Sequence, residues 1–235
     1  MRSWMQQVLQ LRRLHSIEVI WVTSGAIAWA VQKTEFESPK RSLPEKQALS
    51  AIGQPLIMDQ YNLAIHAAGM LGSQVLLTAG DMKDPLRRRN LQNTLSELLR
   101  WKVVPILNEN DAVATEEIRF GDNDSLASKV ALMMKAERLV LLTDVDGLFD
   151  RDPNKFKDAK IISHREKVTA SDLKITKVKS TSKVGTGGMY SKLLAAQRAS
   201  RGGIVTHLLR GDLHNGLLEI ASGRPPGTQI GGKRG

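Results

Sequence analysis

Short, nearly unbroken apolar runs recur along this chain, with helix-like segments between them. The runs are IEVIWVT (17–23), SQVLLT (73–78), VVPILN (103–108), LVLLT (139–143) and IVTHLL (204–209). The helix-like segments are roughly residues 44–68, 91–101, 124–137 and 190–200. A strand without a polar face must be covered on both sides, and strands alternating with helices join in parallel. The pattern therefore predicts an α/β protein with a parallel sheet between helical layers. With 235 residues and 41% apolar content, the chain can bury a sizeable core. No internal repeat is visible. Segments 33–44 and 171–188 read as loops too short to separate domains, so residues 1–235 read as a single domain.

Several function classes are weakened at once. There is no cysteine, hence no disulfide and no thiolate metal site; this fits a reducing cytoplasm. The five histidines are scattered without zinc-like spacing. No apolar run approaches the roughly 20 residues that a membrane span needs. The opening MRSWMQQVLQLRRLH carries arginines within its apolar pattern and reads as an amphipathic helix rather than a signal peptide. A net charge of +10 favours anionic partners, either nucleic acid or small phosphates and carboxylates. Aromatic content of 4% argues against base-stacking platforms, and nucleic-acid binding rests on the charge alone.

Open parallel sheets bind ligands beyond the carboxyl ends of their strands. After the five runs come Ser24-Gly25-Ala26, Ala79-Gly80-Asp81, Glu109-Asn110-Asp111, Asp144-Val145-Asp146-Gly147 and Arg210-Gly211-Asp212. One such coincidence carries little; five together read as an active-site rim. KVGTGGMYSK (183–192) sets three glycines before a helix, where backbone N–H groups and the helix dipole suit a phosphate and Lys192 adds a point charge. It is not a Walker A loop, and a flexible linker is the plainer reading of those residues alone. In GDNDSLASKV (121–130), an aspartate just before SLASKVALMMK suits a helix start. The same carboxylates and amides could instead bind an ammonium group, orient a lysine or approach Mg²⁺.

VTSGAIA, KQALSAIGQ, LLTAGDM, VVPILNENDAVAT, FGDND, LLTDVDGLFDRDP and GTGGMYSKLLAA occur in this order. Together they resemble the glutamate 5-kinases of the amino acid kinase family, over about residues 3 to 228. The resemblance implies a three-layer αβα sandwich with a mainly parallel central sheet. It implies ATP- and Mg²⁺-dependent phosphorylation of the γ-carboxylate of L-glutamate to glutamyl 5-phosphate, the first step of proline biosynthesis in the cytoplasm. By position, Ser24, Asp111 and Asn123 resemble glutamate-binding residues. Asp124 resembles the aspartate that organises lysines at the transferring phosphate, and Lys192 the catalytic lysine. Thr143, Asp144 and the stretch Thr186, Gly187, Gly188, Met189, Tyr190, Ser191 and Lys192 resemble ATP-binding positions. No protein residue is assigned as a metal ligand.

The family also implies self-association as dimers or tetramers and feedback inhibition by proline. Its members open with a strand and a Lys-x-Gly-Ser/Thr loop whose lysine contacts phosphate, whereas this sequence opens on the helix that follows. Many bacterial members add a C-terminal PUA domain beyond the point corresponding to GRPPGTQI. The expectation is thus one amino acid kinase domain, shortened at its start and without PUA. Gly80 and Leu91-Gln92-Asn93 depart from the family pattern in segment 79–93, read as a loop for substrate closure or subunit contact. The alternative function is a catalytically impaired glutamate- or proline-binding sensor of the same fold.

Overall fold

The computed structural model describes residues 1–34, 36, 40–115, 122–153, 155–176 and 188–232. Contacts divide the chain into two compact units, Met1–Leu126 and Ala127–Gly235.

In the first unit, three parallel strands pair in the order β1-β3-β2: β1 (Trp21–Val22), β2 (Leu71–Leu77) and β3 (Val103–Glu109). Their register sets Trp21 opposite Ile106 and Leu71 opposite Val103. β3 is central and buried over nearly its whole length, as its apolar sequence requires, whereas β2 is exposed at several positions. The strand expected over 17–23 shrinks to two residues. Pro105 supplies the reason. Alternate residues of a strand face alternate neighbours, and the bond from Thr23 N–H to the carbonyl of Leu107 shows that odd-numbered residues of β3 face β1. Pro105 faces that side without an N–H to give, so the ladder starts only at Ile106.

Helices α1 (Arg2–His15), α2 (Ala26–Thr34), α3 (Leu43–Ala67), α4 (Ala79–Lys83) and α5 (Pro85–Arg100) complete this unit. α1 is amphipathic as expected, and buries Trp4, Met5, Val8 and Leu11. α2 and α3 pack so closely that a Cβ on Gly53 would fall on the carbonyl of Ala26, so glycine is required there. Segment 79–93 is not a loop. Thr78 caps α4 in a capping box with Asp81, and Asp84 caps α5 ahead of Pro85.

α6 (Asn123–Met134) carries the chain into the second unit. There β4 (Arg138–Thr143), β5 (His164–Arg165), β6 (Val205–Arg210) and β7 (Thr228–Ile230) form a sheet of order β4-β6-β7-β5. β4 is parallel to β6, β6 antiparallel to β7, and β7 parallel to β5. The short β5 and β7 carry no long apolar run and are not legible in the pattern. α7 (Ala170–Thr176), α8 (Met189–Ser200) and α9 (Gly216–Ala221) accompany the sheet. α7 occupies part of the segment expected as loop 171–188; Thr169 and Asp172 cap it by exchanging hydrogen bonds, with Thr169 N–H donating to Asp172 at 2.9 Å and Asp172 N–H to the Thr169 hydroxyl at 3.1 Å. The core joins Leu139 and Leu141 of β4, Leu208 of β6, Ile230 of β7 and Leu193, Ala196 and Ala199 of α8.

His207 on β6 is 3% exposed, and neither ring nitrogen has a hydrogen-bond partner among the described residues. Burial, aided by the charge of Arg138, lowers its pKa from 6.5 to about 4. As pH falls, the unfolded chain therefore takes up this proton before the folded chain does. The contribution of His207 to stability is constant above about pH 6.5, declines between 6.5 and about 4, and changes no further below. Between pH 7.5 and 4.5 the wild type should lose about 2–3 kcal/mol more than His207→Leu in urea unfolding. Equal losses would contradict the account.

Candidate active site

In the first unit, the site grows from the carboxyl ends of β1 and β3. Parallel pairing sets these ends side by side, and the chain beyond each strand stays tied to its neighbour. Thr23 N–H donates to Leu107 at 2.9 Å, and Asn110 N–H donates to Leu77 at 2.9 Å. Ser24 follows Thr23 and is exposed at the turn into α2. Gly25 holds this turn with φ +97°, in the left-handed region.

Asn108, 3% exposed at the end of β3, is the hub. Its Oδ1 accepts from Glu109 N–H at 2.9 Å and from Asn123 Nδ2 at 3.0 Å. Its Nδ2 donates to Gln54 Oε1 at 2.8 Å. Asn123 also donates to the carbonyl of Thr23 at 2.7 Å. One carboxamide thus links the start of α6 to the end of β1, beside Ser24. Asp111 lies just past β3 and accepts from the Ser50 hydroxyl of α3 at 3.4 Å. Gln47 of α3 donates to the carbonyl of Ala114 at 3.2 Å, fastening the segment that carries Asp111. Ser24, Asp111 and Asn123 are therefore gathered on one edge of the first unit.

The cap of α6 differs from the expected one. Asp122 Oδ1 accepts from Ser125 N–H at 2.6 Å, so Asp122 is the cap. Asn123 and Asp124 then fall in the first turn, with Asp124 half-buried.

An aromatic knot lies below that edge. Tyr61 Oη accepts from Trp21 Nε1 at 2.8 Å and from the Thr23 hydroxyl at 3.0 Å. Trp4 and Trp21 centroids stand 6.1 Å apart, and Trp21 and Tyr61 6.2 Å apart. The knot fixes the strand end that presents Ser24. Tyr61 was not singled out from sequence, although a lone tyrosine inside a long helix was a signal for it.

In the second unit, Thr143 ends β4 and Asp144 follows it, exposed; the Thr143 hydroxyl donates to Asp144 Oδ1 at 3.1 Å. Gly211 N–H donates to the carbonyl of Thr143 at 2.8 Å, extending the β4–β6 ladder at this end. Arg210 pairs with Asp212 at 2.8 Å and with Asp146 at 3.6 Å. α8 leads into β6 through a tight turn and packs on β4 and β6, so it runs back along the sheet. Twelve helical residues span about 18 Å, close to the about 20 Å of a six-residue strand. The N-terminus of α8 therefore lies at the edge where Thr143 and Arg210 lie. Its cap is Gly188, which has no side chain to occupy the first-turn N–H groups. Met189, Tyr190, Ser191 and Lys192 form the first turn, and Ser191 donates its hydroxyl to the Gly188 carbonyl at 2.8 Å. Thr186 and Gly187 lie outside the described residues. Such an uncapped helix start favours an anion.

Among the described residues, no group of three or more His, Cys, Asp or Glu stands where it could hold a metal ion, and no helix is long and apolar enough to cross a membrane.

These features make the chain an α/β protein with polar groups gathered at the carboxyl ends of parallel strands. It belongs to the amino acid kinase family, whose model matches residues 1–210. A protein named glutamate 5-kinase from Caldanaerobacter subterraneus is 46% identical over 90% of this chain and 56% of its own length. One of that name from Thermus thermophilus is 43% identical over 97% of this chain and 61% of its own. The chain thus spans less than two thirds of the curated relatives it matches. An isopentenyl phosphate kinase structure is similar with a TM-score of 0.63 at 15% identity, covering 97% of this chain and 90% of that one. The product complex of T. acidophilum isopentenyl phosphate kinase matches with the same score and identity. Identity at this level speaks for fold alone, and it bears out the α/β sandwich read from the strand–helix alternation.

Tyr61→Phe removes the acceptor of two donors while keeping the ring. Urea unfolding should show a loss of about 1–3 kcal/mol. A loss below about 0.5 kcal/mol would mean that the knot does not hold the strand end.

Proposed function

We propose that this chain transfers the γ-phosphoryl group of ATP to the γ-carboxylate of L-glutamate, giving ADP and glutamyl 5-phosphate. The observation that supports the reading is the Asn123 bridge to Thr23 and Asn108, which ties the start of α6 to the ends of β1 and β3. The names of relatives at 43–46% identity support the same substrate.

Ser24, Asp111 and Asn123 would hold glutamate through its polar groups. The attacking carboxylate is already ionised at neutral pH, so no general base is required. A carboxylate oxygen forms a bond to the γ-phosphorus as the bond to the β,γ-bridging oxygen breaks, and ADP leaves. Little covalent chemistry falls to the protein; positioning and charge neutralisation carry the rate. The N–H groups at the start of α8 would receive phosphate oxygens, and the Lys192 ammonium would offset charge on the transferring group. Asp124 would orient lysine at that group, and Thr143 with Asp144 would border the nucleotide. Mg²⁺, when bound, neutralises phosphate charge. With no acidic cluster among the described residues, phosphate oxygens and water would be its ligands. The same reading extends to proline biosynthesis, feedback by proline, a homo-oligomer and a cytoplasmic setting.

The test is glutamate-dependent ADP release, with hydroxylamine trapping the acyl phosphate as a hydroxamate. Lys192→Ala should lower kcat by about a hundredfold or more. Equal ADP release with aspartate or acetylglutamate would overturn the substrate assignment, and unchanged turnover in Lys192→Ala would overturn the role of that lysine.

A further inference from the structure

Gln54, on α3, lines a cavity of about 200 Å³ together with Ser50, Ala51, Pro55, Glu109 and Asp111. Its side chain is held one way round. Glu109 N–H can only donate, so it fixes Oδ1 of Asn108 as the acceptor. Asn108 must then present Nδ2 to Gln54, and Gln54 must answer with Oε1. Turned over, Gln54 would set one NH₂ against another. The consequence is that Gln54 Nε2 is buried without a hydrogen-bond partner among the described residues, on a residue only 7% exposed. A buried N–H without an acceptor is costly and rare in folded proteins. Here it belongs to a residue that borders a cavity.

The opposite polarity lies in the same wall. Pro55 sits inside α3 and has no N–H, so the helical bond that would occupy the carbonyl of Ala51 is not made. Ala51 and Asp111 both border the cavity. Residues that offer one donor and two acceptors around one cavity match the head of an α-amino acid, whose carboxylate accepts and whose ammonium donates.

We propose that Gln54 is a specificity-determining residue of the amino-acid subsite, its Nε2 donating to the α-carboxylate of bound glutamate while Asp111 and the Ala51 carbonyl receive the α-ammonium. The inference rests on the proposed function and deepens it: a dicarboxylate held by its α end leaves the γ-carboxylate to react.

Calorimetric titration of the full chain tests this without requiring turnover. Gln54→Glu keeps an oxygen for Asn108 to donate to and replaces the N–H donor by a second carboxylate oxygen. L-glutamate should bind this variant about tenfold more weakly or worse, equivalent to about 1.4 kcal/mol, with ATP affinity unchanged. Wild type should bind γ-aminobutyrate, which lacks the α-carboxylate, at least tenfold more weakly than glutamate, about the same 1.4 kcal/mol. Gln54→Glu should add no further loss for γ-aminobutyrate. Unchanged glutamate affinity in the folded variant would overturn the proposal. So would wild type binding γ-aminobutyrate as tightly as glutamate, a comparison that needs no variant. A wild type that binds glutamate but releases no ADP would end the phosphotransferase reading and leave Gln54 standing. Turnover of glutamate with unchanged affinity in the variant would end the role of Gln54 alone.

Discussion

The bond from Glu109 N–H to the side chain of its neighbour Asn108 sets the polarity of the first unit's edge. It is short-range, at 2.9 Å, yet its effect is long-range. Because the backbone can only donate there, Asn108 must accept on one side and donate on the other. That choice lets the Asn123 amide donate to both Asn108 and Thr23, and leaves the Gln54 amide N–H without a partner among the described residues. A buried carboxamide with three partners would ordinarily leave more than one arrangement close in energy. One fixed donor selects among them, and a network that is buried and directed rigidifies its surroundings.

The two units answer the same demand by different means. In the first, side chains at strand ends are aimed by hydrogen bonds from α3 and α6. In the second, the cap of α8 is Gly188, which puts no side chain over the helix start. Neutral amides and carboxylates suit an amino acid; a helix N-terminus with a lysine in its first turn suits phosphate. Packing supports each arrangement from beneath. Leu193, Ala195, Ala196 and Ala199 anchor α8, and the Trp4–Trp21–Tyr61 knot anchors the end of β1.

Much of this was legible in the sequence. The apolar runs locate β2, β3, β4 and β6, although only β3 is buried over nearly its whole length and β2 is exposed at several positions. Three capping boxes were legible too: Ser42 with Glu45, Thr78 with Asp81, and Thr169 with Asp172. Only the first coincides with a helix start that periodicity had marked. The other two fall in segments taken for loops, where α4 and α7 are too short to show a period. Pro105 likewise announced a broken ladder in VVPILN, which composition alone overlooked. What remained beyond reach was long-range. Nothing local in GDND distinguishes Asp122 from Asp124 as the cap, and nothing in KQALSAIGQ fixes how Gln54 is turned. Those facts arise when distant segments meet around Asn108.

The central claim is that Asn108 and Asn123 act as one unit in shaping the polar edge at the ends of β1 and β3. A double-mutant cycle in urea unfolding, with Asn108→Ala, Asn123→Ala and the pair, measures this directly. The account predicts a coupling energy of about 1–3 kcal/mol, because either replacement alone leaves the other amide without its partner. Losses that add to within about 0.5 kcal/mol would contradict it.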